Sequence, residues 1–384
     1  MTLQRPLLER RVLAALDASP RRIPVLLGAC GSGRTSVLMR LREQFGRSTC
    51  QYVDVERVAT TPERFLQALR NDSPFAPPAP NAPAPADATA RDALEALLVF
   101  LTASRAPGGS PATFLLDEAF ELRTFESFPG LRTVLRDFVA ALAAGSNRFV
   151  LTSRYVSRAQ RLLRDAPAQF EIINVSPLSA VETHASLGDG ASGLDEETTR
   201  AIHALADGRP AYARAIASAT QAMKMRGPAD PVAALTELLA PGGALFASCR
   251  FCYELRLHRA RGYGALKAIL EVLGAEEPLT LTEIAHRLRR TPGSTKDYLS
   301  WLEDVDLVES KQKRYRFTDP LLRLWVRLHC RPAPISDEHL AREVHGYAMA
   351  RLPQSGTPPA PEPAPALAMA GAAVASSDGI IEID

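Results

Sequence analysis

Twelve residues near the start of the chain, Val25-Leu26-Leu27-Gly28-Ala29-Cys30-Gly31-Ser32-Gly33-Arg34-Thr35-Ser36, constrain its fold more than any other stretch. A short apolar run ends in a glycine-rich turn, which opens into Val37-Leu38-Met39-Arg40-Leu41-Arg42, a helical sequence. Gly28, Gly33 and Thr35 stand at the spacing G-x-x-x-x-G-K-[ST] of a phosphate-binding loop. Glycines accept positive φ and carry no Cβ, so successive backbone N–H groups can surround an anion. The following helix adds its unpaired N–H groups and the positive end of its dipole. Gly28, Gly31, Gly33, Arg34, Thr35 and Ser36 are the expected phosphate contacts, and the Thr35 hydroxyl would reach Mg²⁺. Arg34 stands where the pattern has lysine. A planar fork replaces a compact charge on a slim stem, so the exchange is not conservative. A Gly-rich strand-to-helix turn without a ligand is the plain alternative for this stretch alone.

Thr113-Phe114-Leu115-Leu116-Asp117-Glu118 is the second informative stretch: an apolar strand ending in paired acids, the form of a Walker B element. Asp117 would hold Mg²⁺ through water, and Glu118 would polarise an attacking water. The plain alternative is a solvated turn. A third stretch, Arg148-Phe149-Val150-Leu151-Thr152-Ser153-Arg154, is a strand ending in two hydroxyls and an arginine. In a parallel sheet the ligand lies at the carboxyl ends of the strands, so Thr152 and Arg154 would face the γ-phosphate. An ordinary exposed strand terminus is the alternative. The arginines at 158, 161 and 164 form either a solvated face or, in an oligomer, a source of an arginine finger.

The remaining chain organises around these stretches. An amphipathic helix is expected over 3–18, a strand over 51–55, a helix from Thr61-Pro62-Glu63, and a Pro/Ala-rich disordered insertion at about 73–90. A helix over 128–144 should be capped by Gly145, and a last sheet strand should cover 170–175. Gly208-Arg209-Pro210 reads as a helix end followed by a proline at the start of the next helix. Cys249-Arg250-Phe251-Cys252 is a lone C-x-x-C within a helix, without a second pair at zinc spacing, and reads as buried small hydrophobes.

Beyond residue 263 three short helices are expected, with Thr291-Pro292-Gly293 as a turn and Ser294 capping the third. A hairpin follows around Lys311-Gln312-Lys313-Arg314. Three helices and a basic-tipped hairpin make a winged helix-turn-helix. Lys311, Lys313 and Arg314 could contact DNA phosphates. The helix that would enter a groove carries Asp297, Glu303 and Asp304 against Lys296, so DNA and protein remain equal candidates as its partner. A closing helix follows at 318–326. The expected division is a nucleotide-binding domain over 1–175, a helical lid over 176–260, the winged-helix domain over 261–330, and a disordered tail over 352–384.

With 384 residues the chain has room for two or three cored domains. No apolar run is long enough to span a bilayer, the first residues lack a secretory apolar region, and five cysteines are too few for a disulfide framework. A cytoplasmic protein without membrane contact is expected. The net charge of +2 neither favours nor excludes nucleic acid.

The ordered set Gly28–Ser36, Leu115–Glu118, Leu151–Arg154 and Gly208-Arg209-Pro210, followed by Tyr315-Arg316-Phe317-Thr318-Asp319-Pro320-Leu321-Leu322-Arg323-Leu324-Trp325, resembles the STAND/AAA+ signal-transduction P-loop ATPases. The likeness is to the archaeal-type group with a C-terminal winged helix, and it covers about residues 5–330. It implies a P-loop NTPase α/β fold, a parallel sheet sandwiched by helices and followed by an α-helical lid and winged helix. Thr152 and Arg154 then match the sensor motif, and Pro210 the lid proline that touches adenine. Such proteins hold ADP closed and exchange it for ATP on stimulation. Arg34 is the main departure, and it bears on hydrolysis more than on binding. The leading expectation is an ATP/ADP- and Mg²⁺-binding regulatory switch with slow ATPase activity, acting with a protein partner or as a homo-oligomer. The alternatives are a DNA-binding regulator or mobile-element accessory protein with a degenerate nucleotide site, and an interaction scaffold.

Overall fold

The computed structural model describes residues 5–76, 89–188, 193–225, 227–258, 260, 262–331 and 335–352. Most of the expected Pro/Ala insertion (77–88) and nearly all of the expected tail (353–384) lie outside the described residues.

Five strands, β1 (Ile23–Leu27), β2 (Cys50–Asp54), β3 (Thr113–Asp117), β4 (Arg148–Ser153) and β5 (Phe170–Asn174), form one sheet in the order β2-β3-β4-β1-β5. Every pairing is parallel. The side-chain period of two sends alternate residues to opposite faces, and helices cover both. Leu26, Leu115, Val150 and Ile173 meet Val12, Leu16, Leu38 and Leu41 on one face. Val25, Leu27, Phe114, Leu116, Phe149 and Leu151 build the core of the other. Phe114 and Phe149 stack there, with ring centroids 5.7 Å apart. Because β4 lies between β1 and β3, the carboxyl ends of these three strands adjoin, where open α/β sheets place ligands.

Two local expectations are corrected. The helix expected from 128 begins at Val134, after a 3-10 run over Ala119–Ser127. Pro129 lacks an N–H and Gly130 is left-handed at φ 77°, so the helix cannot extend backwards through them. Gly145 caps that helix as expected, its N–H donating to the Ala141 carbonyl at 3.0 Å, though without a left-handed backbone. It sits at φ −72° and ψ 161°, where a Cβ would stand 3.0 Å from Thr102. The helix expected to start at Ser294 starts at Pro292, and Thr291 caps it by accepting from the Ser294 N–H at 3.4 Å. Proline is accommodated because the first turn needs no N–H donor.

After the sheet come helices Ala180–Leu187, Glu196–Leu205, Pro210–Lys224, Pro231–Leu239 and Ala244–His258. Helices Tyr263–Ala275, Leu281–Arg287 and Pro292–Asp304 follow, with an antiparallel sheet of β6 (Leu279–Thr280), β8 (Arg314–Phe317) and β7 (Val308–Lys311), in that order across the sheet. Gln312 and Lys313 join β7 to β8 with φ of 52° and 63°, the two left-handed residues of a tight hairpin. Helices Pro320–His329 and Asp337–Met349 complete the described chain. The last of these, and Pro231–Leu239, were not anticipated. One apolar core runs through the whole second half, from Leu205 and Ile216 through Leu257 and Leu270 to Phe317, Trp325 and Val344. Among the described residues, no single helix is long and apolar enough to cross a membrane. The bent pair Pro231–Leu239 and Ala244–His258 passes by length and composition, yet Leu235, Leu239, Leu245, Tyr253 and Leu257 are buried in that core.

Candidate nucleotide site

The glycine-rich turn follows β1 directly, and Gly33, at φ 93°, is the N-cap of the Arg34–Phe45 helix. A side chain would strain that left-handed position, whereas glycine fills it without cost. Thr35 projects from the first turn of the helix, and its hydroxyl donates to Asp117 Oδ2 at 2.7 Å. Asp117, the last residue of β3, gathers two further hydroxyls. Tyr52 OH donates to Oδ2 at 3.0 Å, and Thr152 Oγ1 donates to Oδ1. The Thr152 oxygen also accepts from the Glu118 N–H at 3.0 Å, so one β4 hydroxyl fixes both acids of β3.

Glu118 adopts a left-handed backbone, with φ 52° and ψ 44°, and points back towards the loop. Arg34 Nη2 donates to its Oε1 at 2.7 Å, and Arg34 Nη1 donates to the Gly28 carbonyl. The side chains of Arg34 and Glu118 are only 7% and 6% exposed, so solvent screens this pair weakly. Arg154 stands on the other side. Its N–H donates to Glu118 Oε2 at 2.9 Å, its Nε lies 3.1 Å from Oε1, and its Nη2 pairs with Glu56.

Burial alone would discourage charge on Glu118, but the Arg34 and Arg154 guanidiniums outweigh it and hold the carboxyl below its ordinary range. Arg154 is likewise pushed towards the neutral form by burial, and Glu118 and Glu56 reverse the direction. Tyr52 is raised by burial first and by the Asp117 charge second, which keeps its hydroxyl a donor.

Other arginines secure the outside of the loop. Arg209 Nη1 donates to the Cys30 carbonyl at 3.1 Å and Arg209 Nη2 to the Thr318 carbonyl at 2.8 Å. Arg209 also lies 3.4 Å from Asp319, which accepts from Tyr212 OH at 2.8 Å. Arg5 reaches the Ser32 carbonyl at 3.5 Å and the Ser176 carbonyl at 2.6 Å. Pro210 opens the Pro210–Lys224 helix against the loop, and the next residue, Ala211, sends its N–H to the Gly31 carbonyl at 3.4 Å.

Gly28, Gly31, Gly33, Arg34, Thr35, Ser36, Asp117, Glu118, Thr152, Arg154 and Pro210 therefore stand in or beside one place. Lys311, Lys313 and Arg314 lie apart, on the β7–β8 hairpin. Tyr52, Glu56, Arg5 and Arg209 join the site without having been singled out individually. The parallel register that sets Asp54 beside Asp117 brings β2 and its Tyr52 to Asp117.

Residues present fit a phosphate and its metal. Ser32 Oγ and Arg34 Nε, both donors in the loop, are buried with no hydrogen-bond partner in the protein. Unsatisfied buried donors are costly in isolation, and a phosphate bound at the loop would give these two a partner. Thr35 and Asp117 supply the hard oxygens that Mg²⁺ takes alongside phosphate.

The sheet order, the loop after β1 and the acids after β3 define the α/β fold of a P-loop NTPase. A solved structure shares the chain's overall fold. A Walker-type ATPase of Pyrococcus abyssi superposes with a TM-score of 0.64 at 17% identity, over 85% of this chain and 96% of that one. The ORC1 protein of Aeropyrum pernix, solved in complex with DNA, gives 0.46 at 16% identity, over 84% and 91%. A STAND protein of Pyrococcus horikoshii with a tetratricopeptide repeat sensor gives 0.32 at 14%, over 89% and 44%. At these identities the first likeness is one of fold, and the other two are weaker. No protein-family model and no curated protein matches the sequence.

Proposed function

We propose that the chain is an ATP-binding regulatory ATPase whose nucleotide state is transmitted to a winged-helix region at 261–330 through a helical lid at 176–260. The observation that carries this reading is the convergence of the Gly28–Ser36 loop, Asp117 with Glu118, and Thr152 with Arg154 at the ends of three adjoining strands. In it, the loop amides and Arg34 hold phosphate, Thr35 and Asp117 hold the metal, and Pro210 flanks the base. Mg²⁺, when bound, would neutralise charge on the β- and γ-phosphate oxygens. Glu118 is the base for water and Arg154 the phosphate sensor, with Thr152 positioning both acids.

The same geometry predicts slow turnover. Glu118 is held between two guanidiniums, so its carboxylate is a weak base until Arg34 turns from Glu118 to phosphate. Arg209 supplies the route outward, because one side chain joins the loop carbonyl of Cys30 to Thr318 and Asp319 at the end of the β7–β8 hairpin. In this reading Arg209 couples a two-state element biased by phosphate contacts to that hairpin. This reading places the protein in the cytoplasm, acting on a protein partner or a second copy. Equilibrium binding of fluorescent ATP with Mg²⁺ tests it: saturable binding that Thr35→Ala with Asp117→Ala abolishes is expected, and binding unchanged by both substitutions would refute the assigned site.

A second reading, a DNA-binding regulator, is favoured by one observation. Lys311, Lys313 and Arg314 are exposed together at the hairpin tip. Against it, the Pro292–Asp304 helix is engaged at its end, where Asp304 pairs with Arg161. Nearby, Asp306 accepts from the Ser157 hydroxyl at 3.0 Å.

A further inference from the structure

The Cys249–Cys252 spacing draws attention to a dithiol within one helix, but the structure pairs the thiols differently. Cys252 Sγ lies 2.9 Å from Cys30 Sγ, 222 residues away and in the turn of the phosphate-binding loop. Cys249 is instead fully buried in the apolar core. Cys30 is half-buried as a residue, in the turn itself, while Cys252 behind it is buried. Three cations, Arg256, Arg154 and Arg34, act on Cys30, and the Arg209 guanidinium holds its carbonyl.

We propose that Cys30 and Cys252 are a modification site: a dithiol that hydrogen peroxide oxidises to a disulfide, locking the phosphate-binding turn to the Ala244–His258 helix. With the Cys252 S–H as the donor to the Cys30 sulfur, this bond, against burial and with help from the arginines, draws the Cys30 thiol down to about 6. Burial and the same bond keep the proton on Cys252. Cys30 is then the attacking thiolate, since the thiolate is the nucleophile. Its sulfur attacks one peroxide oxygen, the O–O bond breaks, and the departing hydroxide takes the Cys252 proton as water. The Cys252 thiolate attacks the sulfenic sulfur of Cys30, the S–O bond breaks, and a second hydroxide leaves. Two electrons pass from the thiols to the peroxide, and both of its oxygens leave, as one water and one hydroxide.

The regulatory consequence rests on the nucleotide-site reading: a loop tied to the helix cannot part from it to admit or release nucleotide. The full-length protein is treated with stoichiometric hydrogen peroxide, and its non-reduced peptides are mapped by mass spectrometry. A Cys30–Cys252 linked peptide is expected in the parent and in Cys249→Ser, absent from Cys252→Ser, and reversed by dithiothreitol. If both thiols still alkylate after peroxide, or if the link runs from Cys30 to Cys249, the proposal is wrong. Exchange of fluorescent ADP is measured on the same samples, and the oxidised parent should exchange at least about tenfold more slowly than the reduced parent. Equal rates would overturn the locking role. Absence of binding by the reduced protein would count against the nucleotide reading instead, and the peptide map would still decide the disulfide.

Discussion

Arg34 Nη2 lies 2.7 Å from Oε1 of Glu118, so the residue that replaces the loop lysine is paired with the acid expected to activate water. Both side chains are buried, and Arg34 also donates to the Gly28 carbonyl. Charge that would serve phosphate is spent within the protein until a ligand competes for it.

Arg34→Lys should raise the ATP turnover rate, because a single ammonium cannot bridge the Gly28 carbonyl and Glu118 as the fork does. Glu118→Gln should lower turnover by about 10²-fold, the scale of losing a general base. Steady-state phosphate release from both variants checks this. Turnover equal to that of the parent in both would show that the assigned roles are wrong.

Acid should destabilise the protein through Glu118. Its folded-state pKa lies below the ordinary 4.5 because Arg34 and Arg154 overcome the effect of burial. Its contribution is therefore fully present above the unfolded value and is lost as pH falls through the folded one. Melting temperatures between about pH 3 and 6 should fall more steeply for the parent than for Glu118→Gln. Burial raises Glu277 and Asp306, which act in the opposite sense in both proteins and drop out of the comparison. Parallel acid profiles would contradict the prediction.

Much of this site was legible in the chain. Each of the three stretches is an apolar run closed by a distinctive residue set, and a parallel sheet buried on both faces needs such runs. What stayed hidden depends on register and long reach. Tyr52 is an unremarked strand residue until β2 aligns with β3, and Glu56 gains meaning only as the partner of Arg154. The role of Arg209 was obscured by a sufficient local account, since a helix end followed by proline explains Gly208-Arg209-Pro210 without any contact to Cys30 or Thr318. Cys252 was read within its own helix, where i, i+3 spacing says nothing of a partner in the loop.

Arg209→Ala should cost about 3 kcal/mol of stability, the order expected when one member of a buried charged pair is removed. Asp319 would keep the Tyr212 hydroxyl and the Leu321 and Leu322 amides but lose its cation. Urea unfolding checks the magnitude. A loss under about 0.5 kcal/mol, typical of a surface substitution, would show that Arg209 does not join the two halves.

If the hairpin binds DNA, retention on a duplex should weaken steeply with salt and vanish when Lys311, Lys313 and Arg314 are all replaced by alanine. Retardation assays at two ionic strengths decide this. Salt-insensitive retention, or retention by the triple variant, would remove the hairpin from the interface.

Thermal melting with and without ATP·Mg²⁺ tests the central claim most directly. A ligand that binds the native state alone adds about 2.7 kcal/mol at a hundredfold excess over its Kd. The parent should melt higher with nucleotide, and the shift should disappear in Thr35→Ala with Asp117→Ala. An unchanged melting temperature at millimolar ATP·Mg²⁺ would contradict the account.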